Sequence, residues 1–153
     1  MTAGEVLAGE EAPPGDAVVV LGGEMIGVEV AAYLAQRGKI VSITRRGEKL
    51  AENMGRTMRR VFLDYLRENG AGIHTGVTYR KITGEGLLIL DEEGREVLLP
   101  ADLIVIAAGL VPEESAERVV EGAGLEVFRV GDCSKPRNIR WAVHEGFEAG
   151  FEI

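Results

Sequence analysis

The chain has 153 residues, of which 46% are hydrophobic and 27% are charged, and this predicts a folded globular protein with the length of one domain. The formal net charge of −8 argues against a nucleic-acid-binding surface, because such surfaces need clustered basic residues. One cysteine and two histidines exclude an internal disulfide and, from this chain alone, an iron–sulfur cluster or a structural zinc site. There is no apolar run of about 18 residues and no signal-peptide pattern after Met1, so we expect no membrane partner and a cytoplasmic location.

The first elements along the chain predict a strand, a glycine turn, a helix and a second strand. Residues 1–16 are small, acidic and proline-containing, and we expect a lead-in segment without its own core. The apolar run Ala17–Leu21 is β-branched and ends at a pair of glycines, which is typical of a strand buried on both faces. Helical spacing of apolar residues predicts a helix over 26–36, and 39–44 predicts the second strand. These segments predict one βαβ unit.

The remainder of the chain predicts further helices and several short strands. A helix is expected over 52–69, with one apolar face formed by Met54, Met58, Val61, Phe62, Tyr65 and Leu66. Turns containing glycine separate three runs that predict an antiparallel meander, namely 77–83, 87–91 and 96–99. The other expected elements are strands at 72–75, 102–109 and 127–130, and helices over 113–122 and 139–153. The predicted fold class is α/β, with a Rossmann-like central parallel sheet, helices and a three-stranded antiparallel β-meander.

The glycine turn between the first strand and the first helix is the strongest functional motif, and it reads Gly22-Gly23-Glu24-Met25-Ile26-Gly27. Gly22 allows the tight turn, and Gly27 lets the helix pack close to the strand. The helix amino-terminus offers free amide hydrogens and a partial positive charge to a pyrophosphate. This context predicts dinucleotide binding, and the alternative is a glycine turn kept only for packing.

Glu24 stands where a dinucleotide-binding fingerprint normally has its second glycine. A carboxylate there adds bulk and negative charge near the pyrophosphate. If Glu24 points outward, binding survives with some loss, and otherwise the site is degenerate. We expect binding to survive.

The second strand ends at Thr44 and is followed by Arg45 and Arg46, where an NAD-specific site places an acid for the ribose hydroxyls. Guanidinium groups suit a phosphate dianion, so the pair predicts NADPH over NADH through the 2′-phosphate. The alternative is a positively charged, solvated loop. Three further arginines lie at the start of the next helix, where they either extend the positively charged surface of Arg45 and Arg46 or form an exposed helix face: Arg56, Arg59 and Arg60.

Several separated motifs resemble a single protein family and follow the order found there. They are residues 18–29, 32–39, 101–109, 131–133 and 136–139, followed by Glu145-Gly146. They resemble the C-terminal half of the NADH:flavin oxidoreductases of the 2,4-dienoyl-CoA reductase and trimethylamine dehydrogenase type. That half is similar to the pyridine nucleotide-disulfide oxidoreductase fold, and the resemblance covers nearly the whole chain.

The resemblance implies that this chain is a fragment of a larger enzyme. Full-length members carry an N-terminal barrel with FMN, a four-cysteine iron–sulfur site, and an FAD-binding domain into which an NAD(P)H-binding domain is inserted. We therefore expect NADPH here, FAD in the full-length parent, and FMN and a 4Fe–4S cluster only in the missing regions. The missing FAD and barrel domains would be its partners. The implied division is a lead-in segment over 1–16, an NAD(P)H-binding domain over 17–126 and a return segment of the FAD-binding domain over 127–153.

The resemblance also implies three cofactor contacts beyond the glycine turn. Glu29 matches a position near the nicotinamide, Gly109 matches a loop beside the cofactor, and Asp132 matches a contact to FAD in the parent. The complete set of predicted cofactor-binding residues is Gly22, Gly23, Glu24, Met25, Ile26, Gly27, Glu29, Thr44, Arg45, Arg46, Gly109 and Asp132.

No catalytic residue and no metal ligand is predicted. Cys133 has no partner cysteine, and neither His74 nor His144 has a nucleophile or carboxylate constellation around it. The expected function is that of an NADPH-binding domain that positions the nicotinamide for hydride transfer to FAD, inactive as an isolated chain. The alternatives are a degenerate nucleotide-binding fold with a structural or scaffold role and a complete small NADP-dependent regulator.

Overall fold

The computed structural model describes residues 1–9, 13–112, 120 and 124–152. The chain divides into two units, Met1–Gly109 and Leu110–Ile153. In chain order, the elements of the first unit are helix α1 (Ala3–Ala8), strand β1 (Ala17–Leu21), helix α2 (Met25–Gln36), strand β2 (Ile40–Thr44), helix α3 (Arg56–Glu68), strand β3 (Gly72–His74), strands β4 (Thr78–Thr83), β5 (Gly86–Leu90) and β6 (Glu96–Pro100), and strand β7 (Leu103–Ile106).

Two sheets organise the first unit. The larger sheet has four parallel strands in the order β3-β2-β1-β7, and the smaller has three antiparallel strands in the order β4-β5-β6. Helices α2 and α3 supply the crossovers from β1 to β2 and from β2 to β3. The predicted α/β class, with a Rossmann-like parallel sheet and a separate meander, is confirmed.

The central strand β1 is covered on both faces, which accounts for its unbroken apolar run. Val18 and Val20 pack in the core that α2 and α3 share, with Leu34 and Leu66. Val19 points to the other face and joins the apolar cluster of the meander. Successive side chains of a strand face opposite sides, so a strand between two layers needs apolar residues at every position.

Helix α3 begins at Arg56, four residues later than the sequence predicts. The preceding stretch turns back toward the glycine turn instead, where the Ala51 N–H donates to the Gly23 carbonyl at 2.7 Å and Ala51 takes a φ of +46°. The predicted apolar face is also partly wrong. Leu63 is buried, whereas more than half of the Val61 side chain is exposed.

The amino-terminal segment forms a short helix, although the sequence predicts only a lead-in without its own core. Thr2 caps α1 through a reciprocal capping box with Glu5. The Thr2 backbone and hydroxyl donors lower the pKa of the Glu5 carboxyl. Ala3 and Val6 are buried in the core around α2, and Thr2 bridges to Ile106 of β7.

Asp102 ties the start of β1 to the start of β7. Its Oδ2 accepts the N–H groups of Asp16 at 2.8 Å and Ala17 at 2.9 Å. The amides of Ala17 and Asp16 therefore hold the pKa of the Asp102 carboxyl below its ordinary value. On the same loop, Lys39 Nζ donates to the Gly15 carbonyl at 2.6 Å.

We expect Asp102→Asn to be less stable than the wild type near neutral pH and equally stable in acid. The folded pKa of this carboxyl lies below the unfolded value of about 4, so its contribution is present above about pH 4 and is lost as the pH falls through the folded pKa. Urea unfolding midpoints of both proteins, measured from about pH 7 to about pH 2, check this. A difference between the midpoints that stays constant over that range would contradict it.

The second unit contains a 3₁₀ turn at Gly131–Cys133 and helix α4 (Ile139–Glu152). The strand predicted at 127–130 is wrong, since those residues pair with no strand among the described parts of the chain. The helix predicted over 113–122 falls on positions of which only Val120 is described. Across the described ranges, no helix is long and apolar enough to cross a membrane.

Candidate dinucleotide site

The glycine turn brings α2 against the carboxyl end of β1 at very short range. Gly22 has a φ of +114°, and a Cβ at that position would collide with the Ala107 carbonyl. A Cβ on Gly27, in the first turn of α2, would collide with the Gly22 carbonyl oxygen. Both positions therefore require glycine for this packing, whether or not a nucleotide binds.

The amino-terminus of α2 opens at this edge of the sheet. Glu24 is the N-cap residue, and its side chain makes no capping hydrogen bond. The first amides of a helix have no carbonyl partner within it, so those of Met25, Ile26 and Gly27 offer donors to an anion together with the positive end of the helix dipole. This arrangement suits a pyrophosphate.

The Glu24 carboxylate turns away from the helix amides and toward Arg45. Its Oε1 forms an ion pair with Arg45 Nη2. The same Nη2 lies 3.3 Å from Oε2 of Glu52, and Arg45 Nη1 donates to the Lys49 carbonyl. Only 14% of the Arg45 side chain is exposed. The negative charge that Glu24 adds to the fingerprint is thus opposed by a guanidinium held directly against it.

The two adjacent arginines differ in their surroundings. Arg45 is held by two carboxylates and a carbonyl, whereas Arg46 is exposed and forms no ion pair with any residue that the structure describes. The sequence predicts that both act together on a phosphate. In this structure, Arg46 presents its guanidinium to solvent, and Arg45 shares its charge with the protein.

The loop over residues 45–54 crosses the glycine turn. The Leu50 side chain is buried, and its Cδ2 lies where a Cβ on Gly23 would stand. Arg59 Nε donates to the Leu50 carbonyl at 2.7 Å, so this arginine braces the loop and is not part of a free positively charged surface. This contact is not predictable from the sequence, because nothing in the local pattern links Gly23 to a residue 27 positions later.

Thr44 lies at the end of β2 and is fully buried. Its Oγ1 donates to the Val20 carbonyl at 3.0 Å and lies 3.2 Å from the Tyr79 hydroxyl. The Thr44 hydroxyl is therefore used inside the protein. It links the parallel sheet to the meander and fixes the end of β2, from which Arg45 projects.

The remaining predicted contacts lie apart from the glycine turn along the chain. Glu29 is half-buried one turn further along α2. Gly109 follows β7 with a φ of +114°. Asp132 belongs to the second unit, where its Oδ1 accepts the Arg137 N–H at 3.2 Å. The cofactor roles predicted for these residues stay predictions.

The described ranges contain no cluster of three or more His, Cys, Asp or Glu side chains that could hold a metal ion. Cys133 is an exposed free thiol in the second unit. His144 lies on α4, 3.3 Å from Glu148. Partial burial lowers the pKa of His74, which favours its neutral form.

Comparison with known proteins gives one consistent family. The model of the pyridine nucleotide-disulphide oxidoreductase family matches residues 2–146. Bilirubin reductase of Mediterraneibacter gnavus (strain CC55_001C) is 35% identical over 146 residues, which are 95% of this chain and 22% of that protein. NADH oxidase of Thermoanaerobacter brockii is 30% identical over 151 residues, which are 97% of this chain and 23% of that protein.

Solved structures agree with the sequence relatives. The complex of 2-naphthoyl-CoA reductase with 2-naphthoyl-CoA matches with a TM-score of 0.87 and 27% identity, covering 100% of this chain and 23% of that one. The 6-hydroxypseudooxynicotine amine oxidase of Pseudomonas geniculata N1 matches with a TM-score of 0.85 and 25% identity, covering 98% and 24%. The chain thus spans less than a quarter of the length of each of these four proteins.

Proposed function

Because this chain belongs to the pyridine nucleotide-disulphide oxidoreductase family, we propose that it is the NADPH-binding domain of a flavin-dependent oxidoreductase. Its matches to oxidoreductases confirm the predicted resemblance and the FAD/NAD(P)-binding fold. In this proposal, the domain holds the nicotinamide for hydride transfer to FAD. The cofactors supply the redox chemistry, and the protein supplies position and charge.

The observation that carries the proposal is the α2 amino-terminus, whose amides stay free because Glu24 pairs with Arg45 instead of capping the helix. The pyrophosphate would be held by the amides of Met25, Ile26 and Gly27 at the carboxyl edge of the parallel sheet. Had the Glu24 carboxylate capped these amides, it would have taken the place of the phosphate. Glu24 in place of the second glycine of the fingerprint is therefore compatible with pyrophosphate binding.

Coenzyme preference follows from the residues after β2. The carboxyl ends of β1 and β2 are neighbours, since Leu21 pairs with Thr44 and the Gly22 N–H donates to the Thr44 carbonyl at 3.1 Å. An adenosine ribose bound at this edge would lie beside Arg45 and Arg46. Guanidinium groups there favour a 2′-phosphate over two ribose hydroxyls, which an acid would bind better.

For the parent enzyme, we propose the 2,4-dienoyl-CoA reductase and trimethylamine dehydrogenase type. The relatives include a bilirubin reductase, a cinnamate reductase and a 2-naphthoyl-CoA reductase, each of which is named for the reduction of a conjugated organic compound. FAD would then bind in the full-length parent, and FMN and a 4Fe–4S cluster only in regions outside these 153 residues. Residues 127–153, with Asp132, would return to the FAD-binding domain.

Calorimetric titration of the chain with NADPH and with NADH tests the proposal. We expect NADPH to bind about tenfold or more tightly than NADH, because charge-assisted hydrogen bonds contribute about 1.5–3 kcal/mol each. We also expect no reduction of an acceptor dye by NADPH unless flavin is supplied. Heat from neither nucleotide would contradict the proposal and favour a degenerate scaffold with Glu24 in the pyrophosphate position.

A further inference from the structure

We propose that Glu52 is a specificity-determining residue that weakens the preference for NADPH by competing with the 2′-phosphate for Arg45. The inference rests on the proposed function, because it concerns how the same site distinguishes two nucleotides. Glu52 would not touch the shared pyrophosphate. It would act through the one guanidinium that it shares with Glu24.

The geometry gives Arg45 more acceptors than a free phosphate-binding arginine would have. Glu24 and Glu52 both lie against Nη2, and the Lys49 carbonyl accepts from Nη1. Two carboxylates and one guanidinium carry a net charge of −1. A 2′-phosphate can reach this guanidinium with favourable charge only if one carboxylate moves aside or is neutralised.

The two carboxylates differ in which nucleotide they affect. Glu24 is the N-cap of α2 and lies beside the amides proposed for the pyrophosphate, a group common to NADPH and NADH. Glu52 lies in the 45–54 loop, 28 residues later, and its side chain is 60% exposed at the longer distance of 3.3 Å. Glu52 is therefore the partner that can be released without disturbing the α2 amino-terminus.

Backbone hydrogen bonds at both ends of the loop hold Arg45 and Glu52 near each other. The Arg45 backbone is fixed on both sides, because its N–H donates to the His74 carbonyl at 2.8 Å and its carbonyl accepts the Val77 N–H at 3.2 Å. The other end of the loop is held by the Ala51 N–H on the Gly23 carbonyl at 2.7 Å. Arg45 and Glu52 are thus held at fixed points, and only their side chains need to rearrange.

The test is Glu52→Gln, which removes the negative charge and keeps the side-chain shape. Titration with NADPH should give a dissociation constant about three- to fivefold lower than that of the wild type, with the constant for NADH nearly unchanged. Glu48→Gln is the matched control, because Glu48 is an exposed acid of the same loop with no ion pair to any residue that the structure describes. Thermal unfolding of each variant verifies that the fold is retained.

The double variant Arg45→Ala/Glu52→Gln tests whether Glu52 changes the nucleotide preference through Arg45. If Glu52 acts through Arg45, the double variant should show the NADPH-to-NADH ratio of Arg45→Ala alone. The inference is overturned if Glu52→Gln leaves the ratio unchanged, if Glu48→Gln shifts it equally, or if the effect persists without Arg45. If the wild type binds neither nucleotide, the proposed function fails as well, so the two failures are told apart by wild-type binding.

Discussion

Replacing Gly27 by alanine is expected to lower the free energy of unfolding by about 1–3 kcal/mol and to abolish nucleotide binding at concentrations that saturate the wild type. A Cβ at this position would collide with the Gly22 carbonyl oxygen, which is backbone and cannot move without displacing α2 from β1. Alanine is normally the better helix former, so the collision must outweigh a gain of up to about 1 kcal/mol. Urea unfolding measures the change, provided that the dependence of the unfolding free energy on urea concentration is the same in both proteins.

Gly4→Ala is the matched control for this substitution. Gly4 also lies inside a helix, and a Cβ there meets nothing within 4 Å. Alanine at that position should leave stability unchanged or raise it by about 0.5–1 kcal/mol. Equal effects of the two substitutions would show that the close approach of α2 to the glycine turn does not stabilise the fold as described.

Replacing both Arg45 and Arg46 by alanine is expected to weaken NADPH binding about 10- to 100-fold more than NADH binding, which also falls because Glu24 loses the guanidinium that opposes its charge. The two nucleotides differ only in the 2′-phosphate, so the ratio of their dissociation constants isolates its interactions. Of the single variants, Arg46→Ala should have the larger effect, because Arg46 is exposed whereas Arg45 is engaged by Glu24 and Glu52. Calorimetric titration with each nucleotide gives these values.

Arg67→Ala is the control for the loss of positive charge. Arg67 lies in the last turn of α3 and pairs with Asp64 at 3.2 Å. Its removal changes the net charge of the chain as much as either single loop variant does, without altering the residues after β2. A parallel loss of NADPH and NADH affinity in the double arginine variant would place the 2′-phosphate elsewhere.

The strands were predictable because their burial is recorded in local composition. β1 lies between two apolar layers, so its valines are continuous, and glycines mark the turns on either side of β5. The turn from β1 into α2 was predictable for the same reason, since Gly22 and Gly27 are required by contacts within one βα unit. Local sequence is enough to predict an element when the contacts that require its residues lie close together in the chain.

Features that depend on contacts between residues far apart in sequence were not predictable from local patterns. Helix α3 was predicted to begin at residue 52 but begins at Arg56, because the preceding loop is held against the glycine turn by the hydrogen bond from the Ala51 N–H to the Gly23 carbonyl. The pairing of Glu24 with Arg45 is of the same kind, since it joins residues 21 positions apart. The capping box of α1 was different, because Thr2 and Glu5 are three residues apart and form a recognisable signal.

The second unit shows how weak a short apolar run is as a strand signal. Three of the residues 127–130 are apolar, namely Val127, Phe128 and Val130, yet among the described positions this run joins no sheet. A strand forms only where a neighbouring strand can accept its hydrogen bonds, and four residues do not reveal whether one is available. The 3₁₀ turn at Gly131–Cys133 is instead supported by Glu145, whose Oε2 accepts the Gly131 N–H at 2.8 Å.

A crystal structure of the chain grown with NADPH would show which residues hold the pyrophosphate and the 2′-phosphate. We expect the pyrophosphate within hydrogen-bond distance of the Ile26 and Gly27 amides, the Glu24 carboxylate turned toward Arg45, and the 2′-phosphate against the guanidinium groups of Arg46 and Arg45. A pyrophosphate bound away from the α2 amino-terminus, or a 2′-phosphate that no arginine of the 45–54 loop contacts, would contradict it.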